Sequence, residues 1–118
     1  PENNLKKTLS KIQGRKIIYT NAPKTYTNKI LKISKIFELF DEIFTIEDSN
    51  FIPKPDQGMM DTFLKKYNIS EGFFIDDVKE NLFTAKNSGL TTIWITNEKN
   101  QPSFIDKKIE KISDLLSL

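Results

Sequence analysis

The chain contains no cysteine and no histidine. The first absence excludes disulfides, thiol nucleophiles and thiolate metal ligands. The second removes any triad built on imidazole and leaves acid–base chemistry to carboxylates and lysine. Together they exclude structural zinc of the usual kinds. A cysteine-free chain also fits a cytoplasmic setting. No apolar run is long enough to cross a bilayer, and no signal-peptide pattern is present. Charge of one sign is not in excess either: 18 Lys and Arg against 16 Asp and Glu give a net charge of +2. Acids and bases interleave throughout, so neither nucleic acid nor a membrane is expected as a partner.

What is present reads as soluble and globular. Of 118 residues, 37% are hydrophobic and 29% charged, a balance that supports a core within one domain at most. The chain opens on Pro1-Glu2 rather than methionine, as a cleaved or excised piece would. Repeats, low-complexity tracts and internal linkers are absent.

Apolar periodicity alternates between helix and strand. Leu5, Leu9 and Ile12 share a helical face, with Gly14 placed to stop it. Lys16 to Thr20 reads as a strand. A helix is expected from about Lys24, with Ile30, Leu31 and Ile33 apolar, then a turn or short helical segment over Ile36 to Phe40. Glu42 to Ile46 reads as the second strand. Asp56 is placed to cap a helix carrying Met60, Phe63, Leu64 and Tyr67 on its core side. Gly72 to Asp76 is apolar at successive positions, as in a strand buried on both faces, and Phe73, Phe74 and Trp94 read as core. A helix is expected over Val78 to Ser88, ended by Gly89, then a strand over Thr91 to Ile95 and a loop over Asn97 to Pro102. Ile105, Ile109, Ile112, Leu115 and Leu116 are spaced as the stripe of a final helix. Strands separated by helices imply a parallel sheet.

Three polar sites lie at or just beyond the ends of strand-like runs. Lys16-Ile17-Ile18-Tyr19 runs into Thr20-Asn21, Pro53-Lys54-Pro55 follows Ile43-Phe44-Thr45-Ile46, and Gly72-Phe73-Phe74-Ile75 runs into Asp76-Asp77. Ligands of open α/β sheets bind outside the carboxyl ends of the strands, so a hydroxyl, a lysine and a carboxylate pair converge on one edge, a set suited to a phosphoryl group with a divalent cation. Adjacent carboxylates repel unless a cation or donors compensate, and hard oxygen ligands suit Mg²⁺; alone, the pair also reads as a helix cap with a solvated neighbour. Asn81, one turn on, can orient a carboxylate. Thr20 and Asn21 can offer a hydroxyl and backbone N–H groups, helped by the helix N-terminus beyond Pro23, although a lone Thr-Asn is more simply a cap. Lys54 sits between two prolines that restrict the loop and is either aimed at an anion or solvated. Glu47-Asp48 reads as a solvated turn.

In this order and strand context these residues resemble the haloacid dehalogenase superfamily of phosphohydrolases. The family's second motif, a strand ending in Thr or Ser, is matched by Ile17 to Ala22. Its lysine is matched by Lys54 in Pro-Lys-Pro, and its acidic pair by Asp76-Asp77, followed by Asn81-Leu82. The whole run of Thr20-Asn21-Ala22, Phe40-Asp41, Pro53-Lys54-Pro55, Asp76-Asp77, Asn81-Leu82 and Gly89-Leu90-Thr91-Thr92-Ile93-Trp94 is most similar to the pyrimidine 5′-nucleotidase-like branch. The resemblance implies a Rossmann-like parallel sheet with helices on both faces, and a Mg²⁺-dependent phosphomonoesterase that works through an aspartyl-phosphate on a small phosphorylated metabolite, such as a nucleoside monophosphate. It implies that Thr20 and Asn21 bind the phosphoryl group, that Lys54 neutralises charge there, and that Asp77 with Asp76 holds the metal, with Asn81 in support. A receiver-type signalling domain also uses an acidic pair and a lysine, but its pair follows the first strand, and Asp76-Asp77 come too late.

The departure from the family is at the front. Its first motif, an Asp-x-Asp that supplies the nucleophile and the acid–base carboxylate, has no counterpart before Thr20, and neither does the helical cap that selects substrate. In the family that first strand lies between those matched here by the strands ending at Thr20 and Asp76. Residues 1–118 therefore read as a partial core domain, inactive alone, or as a nucleophile-less binding or regulatory module. Either the Thr20 and Asp76 strands pair directly, or the missing N-terminal segment or another copy fills the gap.

Overall fold

The computed structural model describes residues 4–118, so the Pro1-Glu2 start lies outside them. Helix α1 (Leu5–Lys11) precedes strand β1 (Ile17–Tyr19). Helix α2 (Lys24–Ile33) and a 3₁₀ turn (Phe37–Leu39) lead to β2 (Glu42–Phe44). Helix α3 (Gln57–Lys66), β3 (Phe73–Asp76), α4 (Lys79–Asn87), β4 (Thr91–Ile95) and β5 (Lys107–Ile109) follow, and a 3₁₀ segment (Ile112–Ser117) ends the chain. All strand pairs are parallel. The helix expected at Asp56 starts there, the Asp56 carboxylate accepting from Met59 N–H at 2.8 Å.

The strands form a two-stranded sheet, β1-β2, and a three-stranded sheet, β3-β4-β5. Direct pairing of the Thr20 and Asp76 strands is therefore not what the chain adopts, and among the described residues no strand stands between them. This corrects the direct-pairing alternative, and within the described residues the space between β1 and β3 is an open gap. Side chains tie the halves together. Met60, Phe63 and Leu64 of α3 pack in one cluster with Phe44 of β2, Phe74 of β3, Leu82 and Ala85 of α4, and Trp94 of β4. Tyr19 of β1 joins it, its ring 4.4 Å from Phe63 and 6.3 Å from Phe74. Helix α1 also touches both 3₁₀ segments, one from each half.

Two expectations are corrected. Strand β3 is not buried on both faces: Phe74 is 9% exposed, but Phe73 is 68% and Ile75 36% exposed. Ile75 is in register with Ile93, which is buried, so the covering layer on that face reaches β4 and stops short of β3. The final helix is the second correction. Ile105 and Ile109 are buried, but a spacing of four satisfies a two-residue period as well as a helical one. Asp106 N–H donates to the Thr92 carbonyl, and Thr96 N–H donates to the Ile109 carbonyl, so this segment extends the sheet.

Candidate phosphoryl site

Lys54 is the centre of the site. Its ammonium donates to the Tyr19 carbonyl at 2.8 Å and to Asp76 Oδ2 at 3.2 Å. It also lies 5.0 Å from the Tyr19 ring centroid and 5.7 Å from that of Phe74. The side chains of Lys54 and Asp76 are each only 9% exposed. One ammonium thus joins the ends of β1 and β3 across the gap. Two carbon-rich walls lower the local dielectric there and strengthen its attraction for an anion.

The loop is held by Asn21. Its side-chain oxygen accepts from Lys54 N–H at 2.8 Å and its amide donates to the Lys54 carbonyl at 3.3 Å. The Asn21 side chain is therefore committed to placing Lys54, which leaves its backbone N–H as the group it can offer a phosphoryl oxygen. Thr20 ends β1 with its backbone N–H on the Phe44 carbonyl, and its hydroxyl accepts from Ala22 N–H at 3.0 Å. That hydroxyl keeps its own proton for an anion.

Asp76 is anchored on every side. Oδ1 accepts from Val78 N–H at 2.9 Å, and Oδ2 accepts from the Asn81 amide at 3.1 Å as well as from Lys54. Burial pushes its carboxyl upward, but Lys54, Val78 N–H and Asn81 outweigh this and hold it below the usual carboxylate range. Asn81 is 5% exposed and does orient a carboxylate. Asp77 is exposed, and its carbonyl accepts from the Trp94 indole at 3.0 Å.

No group of three His, Cys, Asp or Glu side chains converges as a metal cluster among the described residues. Mg²⁺ is nevertheless commonly held by one or two carboxylates completed by phosphate and water. Asp77, exposed beside the anchored Asp76, fits that smaller donor set.

Some roles were not foreseen. Glu47-Asp48 is the exposed turn expected, but Glu47 is also engaged: its Oε1 accepts from Lys24 N–H at 2.8 Å and so caps α2, drawing on the N-terminal potential that Thr20 and Asn21 were expected to share. Asp48 closes its own turn by accepting from Thr45 N–H and hydroxyl. The Tyr19 carbonyl and the Tyr19 and Phe74 rings around Lys54 were missed because they carry no motif. Strand alternation, which puts residues two apart on one face, was the available signal for Tyr19.

Comparison with known proteins gives the family and the fold. The family model for haloacid dehalogenase-like hydrolases matches residues 1–95. No curated protein is matched. Among solved structures, the HAD hydrolase YfnB from Bacillus subtilis bound to magnesium superimposes with a TM-score of 0.85 at 24% identity, over 97% of this chain and 54% of that one. A HAD phosphatase from Thermococcus onnurineus gives a TM-score of 0.76 at 23% identity, over 94% and 53%. A dehalogenase with an intermediate complex gives 0.85 at 20%, over 98% and 55%. The chain therefore spans about half the length of the solved structures it matches. With its parallel α/β framework and a family match over most of its length, this chain belongs to the haloacid dehalogenase-like hydrolase family.

Proposed function

We propose that this chain is the phosphoryl-binding part of a Mg²⁺-dependent phosphomonoester hydrolase that works through an aspartyl-phosphate, and that the nucleophile comes from outside residues 1–118. The observation that carries this is the buried Lys54 ammonium joining the ends of β1 and β3, with Thr20 beside it and a carboxylate pair opposite. In this reading Thr20 donates its hydroxyl, and Asn21 its backbone N–H, to the phosphoryl oxygens. Lys54 offsets their charge in a place where little water competes, and Asn21 and Asn81 keep Lys54 and Asp76 from turning away. Asp77, with Asp76, would hold magnesium, which would stabilise charge on a phosphoryl oxygen. We infer a small phosphorylated metabolite as substrate, with nucleoside monophosphates as the expectation from the resemblance, and the cytoplasm as the compartment. Residues 1–118 are read as a partial core domain.

Binding of vanadate or inorganic phosphate tests the site directly. Lys54→Met and Thr20→Val should each abolish binding that the unaltered chain shows. Equal binding by all three proteins would remove the phosphoryl site. Because the chain lacks the nucleophile, purified protein of verified intact mass should give no phosphatase turnover; a measured turnover would overturn that part.

A second reading, a nucleophile-less binding or regulatory module, is favoured by one observation. Lys54 and Asp76 already satisfy each other inside this chain, so the edge is electrostatically closed without further residues. An Asp-x-Asp strand encoded upstream of Pro1 would decide for the hydrolase.

A further inference from the structure

Phe51 combines backbone strain with almost no burial. The residue is 70% exposed, beside Ile52 at 42%. Its φ is +65°, directly after Asn50 at +53°. Asn tolerates the left-handed region, but a bulky residue does so at a steric cost. The loop is not loose. Phe51 N–H donates to the Ile46 carbonyl at 2.8 Å, Ile52 N–H to Ser49, and Asn50 N–H to Glu47. Ser49 is 1% exposed, and its hydroxyl donates to the Ile46 carbonyl at 2.9 Å. The strain is thus fixed in place, and packing within the chain returns little for it. Held strain of this kind clusters at binding sites.

The position gives the phenyl a use. Ile46 N–H donates to the Ala22 carbonyl at 3.2 Å, which ties this loop to the Thr20-Asn21 segment. Phe51 is three residues before Lys54, so their Cα atoms are within roughly 11 Å of each other. We propose, resting on the phosphoryl-site reading above, that Phe51 is the apolar wall of that site and receives the organic group of a phosphomonoester, with a preference for a flat aromatic one. Ile52 extends the same wall. A phenyl face offers contact area to a flat ring with little rotamer entropy to lose.

The test titrates the 118-residue chain with phenyl phosphate and with inorganic phosphate, and repeats both with Phe51→Gly and Phe51→Asn. Phenyl phosphate should bind at least about threefold tighter than inorganic phosphate, the scale of one aromatic contact. Both substitutions should bring that ratio close to one and leave inorganic phosphate affinity unchanged. Phe51→Gly should also raise the melting temperature, because glycine adopts this backbone freely; a residue kept for stability would not behave so. A ratio of one in the unaltered chain, or a ratio that survives both substitutions, overturns the wall while the phosphoryl site stands. Binding of neither probe overturns both. Loss of self-association in the variants, with an unchanged ratio, would assign Phe51 to a second copy of the chain and also overturn it.

Discussion

Lys54 and Asp76 are worth more as a constraint than as a source of stability. Buried ion pairs roughly balance attraction against desolvation, but removal of one partner strands the other. Lys54→Met should therefore cost about 3 kcal/mol at neutral pH, the lower end for a broken buried pair. The pH dependence follows from the sign of the shift. Asp76 is held low in the folded chain, so its contribution is present above the unfolded carboxylate value of about 3.9 and is lost as pH falls through the folded value. In Lys54→Met, burial without the ammonium raises the Asp76 carboxyl instead, so the penalty of the substitution should shrink on acidification. Denaturant melts of both proteins from neutral pH to pH 3 check this; a penalty that is constant with pH would mean that the ammonium does not govern Asp76. Tyr19 offers the opposite case. Its hydroxyl is buried with no hydrogen-bond partner among the described residues, and burial, then Asp56, pushes its ionisation up to about 12. Tyr19→Phe keeps the ring contacts and removes the unsatisfied group, so it should be neutral or stabilising by about 1 kcal/mol. It should also remove the stability loss that Tyr19 causes between about pH 10, where the unfolded chain ionises, and pH 12. A destabilised Tyr19→Phe would show that the hydroxyl has a partner in solution.

Elements were legible wherever a local signal had a single meaning. The Asp56 cap and the Met60, Phe63, Leu64 face of α3 were read directly because side-chain oxygen, helix start and apolar period all agree. Asp56→Ala should cost about 1 kcal/mol by thermal melting, the usual cost of a lost N-cap. The segment from Ile105 to Ile109 was not legible, because a four-residue spacing fits strand and helix alike and the decision rests on pairing to β4, a contact far along the chain. Strand β3 misled for another reason. Successive apolar residues state that both faces want cover, and they do not state that cover is present. That yields a contrast between neighbours. Phe74→Ala should cost about 3 kcal/mol as a core truncation, whereas Phe73→Ser should change stability by less than about 1 kcal/mol. Equal losses would mean that Phe73 is buried by something absent from this chain's own fold. The residue types that meet at the candidate edge were readable, since Thr20 follows β1, Lys54 lies in the loop after β2 and Asp76 ends β3. The internal bonding of that edge was not, because the Asn21 side chain clasps the backbone of Lys54 and Tyr19 acts through its carbonyl, contacts that no motif encodes.

At the scale of the whole molecule, the open question is how two half-sheets behave as one body. Each half presents a strand edge to the gap, β1 on one side and β3 on the other, and unpaired edges are where a sheet exchanges fastest and recruits other strands. The halves are bridged by the Lys54 ammonium at the carboxyl edge, by the Tyr19, Phe63 and Phe74 rings, and by α1, which touches a 3₁₀ segment of each half. Beside the gap lie the exposed Phe73 and Ile75. A strand alone would pair both edges, and the segment attached to it would cover those two side chains. Its source would be a segment outside residues 1–118 or a second copy of the chain. Hydrogen exchange should therefore find the amides of β1 and β3 that face the gap exchanging much faster than those of β4, which is paired on both sides. Adding a peptide strand with alternating apolar residues and an Asp-x-Asp end should protect both sets together, because one inserted strand bonds to both edges. Protection of β1 without β3, or of neither, would show that the gap is closed in solution by a shift of the halves and that this edge accepts no strand.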